Sequence, residues 1–163
     1  EVKGDIVKIK LTTPGNLRQD IAVDLNGASF QVDSLNTGVP HAIIYSKNVD
    51  ENNVKEVGNG VRFHEEFAPA GTNVNFVEKV SDNALKVRTY ERGVEDETLA
   101  CGTGVVASVL LSSYKKMVQP PVAVETRGGE LLKVDFDPSD SPVTDVYLEG
   151  ITRIAFEGTL VEY

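Results

Sequence analysis

Apolar and polar positions alternate in short runs along most of the chain. Gly4-Asp5-Ile6-Val7-Lys8-Ile9-Lys10-Leu11 interleaves apolar and charged residues as a half-buried strand does. The same pattern predicts strands over 21–25, 30–34, 42–45, 74–80, 85–90, 122–126, 131–136, 145–149 and 152–160. Asn26-Gly27, Asp82-Asn83, Gly128-Gly129 and Asp137-Pro138 punctuate these runs as turns. Residues 79–85 read as a hairpin tip that sets 74–80 antiparallel to 85–90. Two segments switch to helical period. In 54–63, Val54, Val57 and Val61 recur on one face, with Asp50 as the expected N-cap. In 104–117, apolar residues go almost all the way round, Lys115 and Lys116 sit in the last turn, and Pro120-Pro121 stops the helix. A helix without a polar face has to be wrapped, so the fold class is α+β: a mixed, mostly antiparallel sheet or barrel around one central hydrophobic helix.

Composition narrows the function classes. The 163 residues are 40% hydrophobic and 25% charged, a globular balance that suits one domain or two very small ones. A net charge of −9 would repel nucleic acid or an anionic membrane surface, so neither is an expected partner. One Cys and two His leave no disulfide framework and too few soft ligands for a structural zinc, and a reduced, cytoplasmic setting is the expectation. The first residue is Glu1 and the chain reads as strand almost at once, which suggests a piece of a larger protein.

The distinctive chemistry lies in Glu91-Arg92-Gly93 and in Glu97-Thr98-Leu99-Ala100-Cys101-Gly102-Thr103-Gly104. Here a strand ends, an acidic loop follows, and a Cys in a small-residue turn opens the wrapped helix. Free N–H groups and the positive end of the helix dipole favour a thiolate at Cys101. The N–H groups of Gly102, Thr103 and Gly104 form a nest suited to a carboxylate or phosphate. A lone Cys is nonetheless most often a small buried hydrophobe, and adjacent charges such as Glu91-Arg92 are usually a solvated pair. From the residues alone, catalysis and structure stand level.

The same residues resemble the signature of the diaminopimelate epimerase family. The likeness extends to Gly38-Val39-Pro40-His41, similar to a Gly-Asn-Pro-His turn, and to Pro69-Ala70-Gly71-Thr72-Asn73-Val74-Asn75-Phe76, similar to a Pro-x-Gly-x-Asn-Val segment. The stretch 150–158, with Ala155-Phe156-Glu157-Gly158, resembles the family's closing strand. The resemblance implies that 1–163 is the C-terminal domain of such an enzyme, with 152–163 belonging with an absent N-terminal domain.

It also implies an amino-acid-biosynthetic reaction on the way to lysine, in which LL- and meso-diaminopimelate interconvert without pyridoxal phosphate or any other cofactor, and without a metal. Two cysteines on opposite faces of the substrate carbon exchange its proton. Cys101 would be one; the other would lie in the absent domain, so the chain alone is expected to be inactive. Gly102, Thr103 and Gly104 would bind the α-carboxylate through their N–H groups. Glu91 would meet the substrate ammonium or bias the thiol, and His41 would help set the protonation of a catalytic sulfur. Arg92 and Asn73 would hold the distal carboxylate. Val39 departs from the family's Asn and cannot hydrogen-bond a carboxylate. Either the distal carboxylate goes without that bond, or a backbone group supplies it, or the substrate preference differs. Gly58-Asn59-Gly60 imitates the other cysteine motif, but with Val57 in the Cys place it reads as a structural helix, and His64 as structural too. The expected partners are the small-molecule substrate, the missing domain and, left open, a second copy in a homodimer, because apolar surface near Cys101 and His41 would otherwise be bare. Related readings are a proline racemase-like enzyme, a phenazine-type isomerase of the same fold, or a non-catalytic anion-binding domain.

Overall fold

A computed structural model describes residues 1–140 and 143–161. In chain order the strands are β1 (Val2–Lys3), β2 (Ile6–Lys10), β3 (Gly15–Leu25), β4 (Ala28–Asn36), β5 (Pro40–Tyr45), β6 (Asn73–Ser81), β7 (Ala84–Glu91), β8 (Asp96–Thr98), β9 (Val122–Thr126), β10 (Leu131–Phe136) and β11 (Val146–Ile151). Helix α1 (Val54–Arg62) lies between β5 and β6, and α2 (Gly102–Tyr114) between β8 and β9. The strands form one sheet in the order β1-β2-β11-β10-β9-β7-β6-β5-β4-β3, with β8 added alongside β7. The β5–β6 and β7–β9 pairs are parallel and the others antiparallel. The path is open at β1 and β3 and curls around α2, which packs against β4, β5, β6, β7, β10 and β11. This is the α+β architecture expected from the sequence.

Strand alternation sorts the core into two clusters. Ile43, Val77, Leu85 and Val87 join α2, while Ala42, Ile44, Val74, Phe76 and Tyr90 join Val54 and Val61 of α1. Every residue from Gly104 to Ser112 is buried, so the all-round apolar pattern of α2 is answered by sheet on every side. By the same parity His41, Asn75 and Thr89 face α2, a polar island at one end of an apolar layer.

Four expectations move. Strand β3 starts at Gly15, not at residue 21, because its first half is a polar edge interrupted by register shifts, with Asn16 and Asp20 at positive φ. Helix α1 is capped by Asn53, whose side chain accepts from the Glu56 N–H, while Asp50 sits in a preceding single turn and pairs with Lys86. Helix α2 spans 102–114, so Lys115 and Lys116 lie just beyond it. The strand expected at 152–160 does not form. A period-two pattern becomes a strand only against a free edge, and β11 is already flanked by β10 and β2. Past Ile151 the described chain carries no regular structure, and Phe156 and Leu160 are 87% and 91% exposed. The last two positions of the stretch 152–163 lie outside the described residues.

Candidate active site

The approach to Cys101 is held from two sides. Strand β8 pairs with β7, and Glu97 meets Arg88 in a two-pronged ion pair at 2.7 and 2.8 Å, both side chains only 11% exposed. Beyond it, the Leu99 carbonyl accepts the Gly128 N–H at 2.8 Å. Cys101 then takes the N-cap position of α2 in an extended conformation (φ −134°, ψ 102°), and its carbonyl accepts the first helical bond from the Val105 N–H at 2.9 Å. The N–H groups of Gly102, Thr103 and Gly104 therefore have no acceptor within the helix, which is the nest the sequence suggested.

The thiol of Cys101 is half-buried, and burial pushes its pKa above the usual cysteine value, with the Glu91 carboxylate adding to the rise. The Thr103 hydroxyl, 3.6 Å from Sγ, and the N–H groups of Gly104 and Thr103 work the other way. The helix start thus does favour thiolate, as expected from the sequence, but desolvation outweighs it.

His41 is fully enclosed. Its Nε2 lies 3.0 Å from Thr103 Oγ1, and its Nδ1 lies 3.1 Å from the Asn75 amide nitrogen. Burial first, then the Arg92 charge, pushes its pKa down to about 3, so the ring is neutral at physiological pH. The Asn75 oxygen accepts from the Thr89 hydroxyl at 2.9 Å. Gly104 is what lets α2 close on this group: a Cβ there would run into Asn75 Oδ1 and stand 3.2 Å from His41 Cε1. The Thr103 carbonyl is fastened in turn by the Thr37 hydroxyl at 2.9 Å.

Asn73 ties the other half of the site together. Its Nδ2 donates to the Pro40 carbonyl at 3.0 Å and its Oδ1 accepts the Arg92 N–H at 2.8 Å, which leaves one amide hydrogen for a ligand. Gly71, at φ +67°, makes the preceding turn, where a side chain would strike Arg62. A cleft of about 370 Å³ lies alongside, lined by Arg18, Ser34, Asn36, Pro40, Gly71 and Arg92 among others. Arg18 is neutralised by Glu66 at 2.6 Å, whereas Arg92 makes no ion pair among the described residues and only donates to the Ala70 carbonyl at 3.2 Å. Glu91 ends β7, near enough to Cys101 to act on its thiol.

Thus Thr103 lies against both Cys101 and His41, Gly104 lets the helix close on His41, and Asn73 joins Arg92. Residues lining the cleft include Arg92 but not Cys101. The bare apolar surface expected around Cys101 and His41 does not reach His41, which is enclosed; beside Cys101 the exposed apolar side chain is Leu99, two residues earlier and 72% exposed. His64 caps a single turn by accepting the Glu66 N–H, and Gly58 packs on Tyr90, both structural as expected. Asn75, Thr89 and Thr37 were not singled out from sequence. For Asn75 and Thr89 the one signal is a polar residue at an inward position of a strand, and Thr37, just past β4, carries none.

Solved structures of similar architecture include an epimerase and a biosynthetic protein. A hydroxyproline epimerase from Agrobacterium vitis superposes with a TM-score of 0.72 at 15% identity, covering 90% of this chain and 50% of that one. A Bacillus anthracis phenazine biosynthesis protein of the PhzF family does so at 0.59 and 14%, covering 90% and 57%. At such identities the likeness is one of fold. Sequence goes further: the diaminopimelate epimerase family model matches residues 34–147, and this chain belongs to that family. Diaminopimelate epimerases of Aquifex aeolicus and Chlorobaculum tepidum are 46% and 40% identical to it over 98% of the chain. The chain spans 56% and 60% of their lengths. Among the described residues no helix is long and apolar enough to cross a membrane.

Proposed function

We propose that this chain supplies one cysteine and half of the substrate site of an enzyme interconverting LL- and meso-diaminopimelate by two-base proton transfer. The observation that carries the reading is the thiol of Cys101 seated at the mouth of the α2 nest, with Arg92, a guanidinium without a carboxylate partner among the described residues, opening onto the neighbouring cleft. The nest binds the α-carboxylate and stabilises negative charge as the Cα proton leaves. On one face of that carbon the Cys101 sulfur gives or takes the proton; on the other, a second cysteine from a further domain of the same protein does the reverse. Arg92, with the remaining Asn73 hydrogen, receives the distal carboxylate. Asn36 lines the same cleft, its oxygen held by the Gly38 N–H at 2.9 Å and its amide nitrogen free of partners among the described residues. It is placed to supply the amide that Val39 does not. Residues 152–161 and the Leu99 side chain would pack on the further domain.

The test is solvent-deuterium incorporation into diaminopimelate. The full-length protein should exchange, and lose exchange by orders of magnitude on Cys101→Ala, whereas residues 1–163 alone should not exchange above background. Retained activity in the full-length Cys101→Ala protein would overturn the assignment, and exchange by the isolated chain would overturn the half-site.

A further inference from the structure

The buried hydrogen bonds behind Cys101 fix the proton order from Asn75 through His41 to Thr103. The Ala42 carbonyl can only accept, and it lies 3.2 Å from one end of the Asn75 amide, so that end is nitrogen. The Thr89 hydroxyl at the other end then donates to oxygen. The second amide hydrogen points at His41 Nδ1, which must be a bare acceptor. The ring's proton is therefore on Nε2, facing Thr103 Oγ1. Having accepted there, Thr103 still has its own hydroxyl proton, and the Cys101 sulfur, 3.6 Å away, is the acceptor within its reach among the described residues. An imidazolium would set an N–H against the Asn75 NH₂, in a fully enclosed region and beside Arg92.

We propose that Asn75, braced by Thr89, is a positioning residue that locks His41 as a fixed Nε2–H donor and so commits the Thr103 hydroxyl to donate to Cys101. His41 on this account carries no proton to or from substrate. It orders a chain whose last link favours thiolate and partly offsets the burial of the sulfur. The charged groups bearing on the chain are Arg92 at the His41 end and Glu91 at the thiol end. The inference deepens the reading of Cys101 as the acid–base group, but it concerns only the imidazole and the thiol, so it can fail or stand whatever the substrate proves to be.

Both are measurable on this chain. With nitrogen-15-labelled histidine, and His64→Gln to separate the two rings, His41 should show the Nε2–H form with no titration from pH 8 to 5.5. Asn75→Asp, which can only accept, should bring a proton to Nδ1. For the thiol, the pH profile of Cys101 alkylation should move upward in Thr103→Val and in Asn75→Leu, with alkylation about tenfold slower at pH 8 for a shift of about one unit, while Thr103→Ser restores the wild-type profile. A purely structural Asn75 would move neither reading. An Nδ1–H or titrating His41 in the wild-type chain would overturn the proposal, and this holds even where Asn75→Leu fails to fold. Unchanged alkylation profiles in folded Asn75→Leu and Thr103→Val would do the same.

Discussion

Replacing Gly104 by Ala sets a favourable local effect against an unfavourable tertiary one, and the structure decides between them. In a helix, Ala is preferred over Gly by about 1 kcal/mol, less in a first turn whose N–H groups lack helical acceptors. The added Cβ, however, would occupy the place of Asn75 Oδ1 and crowd His41 Cε1. Asn75 cannot step aside, since its nitrogen is held by the Ala42 carbonyl and His41 and its oxygen by Thr89. Moving it forfeits three bonds, each about 1 kcal/mol net. The balance is a loss of about 2–3 kcal/mol, or roughly 6 °C in melting temperature for a chain of this size. Urea unfolding of Gly104→Ala reads it directly, with Gly15→Ala as the control, because a Cβ at Gly15 meets nothing within 4 Å. The control should stay within about 0.5 kcal/mol of wild type. If Gly104→Ala is equally unaffected, α2 does not seat against the Asn75–His41 pair as described, and the account of the site fails with it.

Three further outcomes follow from the same geometry. Glu97→Ala strands the largely enclosed Arg88 guanidinium and should lower stability by about 3 kcal/mol in urea unfolding, with faster proteolysis between β8 and α2; a loss under 1 kcal/mol would show the pair to be incidental. Glu91→Gln removes a charge that raises the Cys101 thiol, so alkylation at pH 8 should quicken by roughly twofold, opposite in direction to Thr103→Val; slower alkylation would place the carboxylate's influence elsewhere. His41, held at about 3 when folded against 6.5 when free, binds its proton only on unfolding in that window. Its stabilising effect is complete above pH 6.5 and is lost on acidification, at about 1.4 kcal/mol per pH unit. Unfolding free energies that are flat from pH 7 to 5 would refute the buried neutral ring.

Much of the fold was legible because its periods are clean. Strands such as β6 and β7 alternate, α2 is apolar on every side, and short turns fix their pairing; only a curled sheet buries such a helix. What the sequence hid depends on partners far along the chain. The polar half of β3 is a strand only because β4 lies beside it, and residues 152–160 have the pattern but follow a strand already paired on both sides. The site divides the same way. Cys101, Gly102, Thr103 and Gly104 are contiguous, so the helix start could be read in place, but the net direction of the thiol pKa depends on how deeply the sheet buries it.

Asn75 and Thr89 show where a residue-by-residue reading stops. Each is a polar residue at an inward position, and either alone would be an unfavourable interruption of an apolar strand. They become favourable only as a pair, because β6 and β7 set them opposite one another and the β5–β6 register brings His41 within reach of the same amide. The glycine at 104 then allows the helix carrying Cys101 to close over them. Neither the polar island nor the glycine is explicable without the other. On the proposed reading their joint effect would fall on a sulfur whose proton affinity a two-base reaction requires to be controlled.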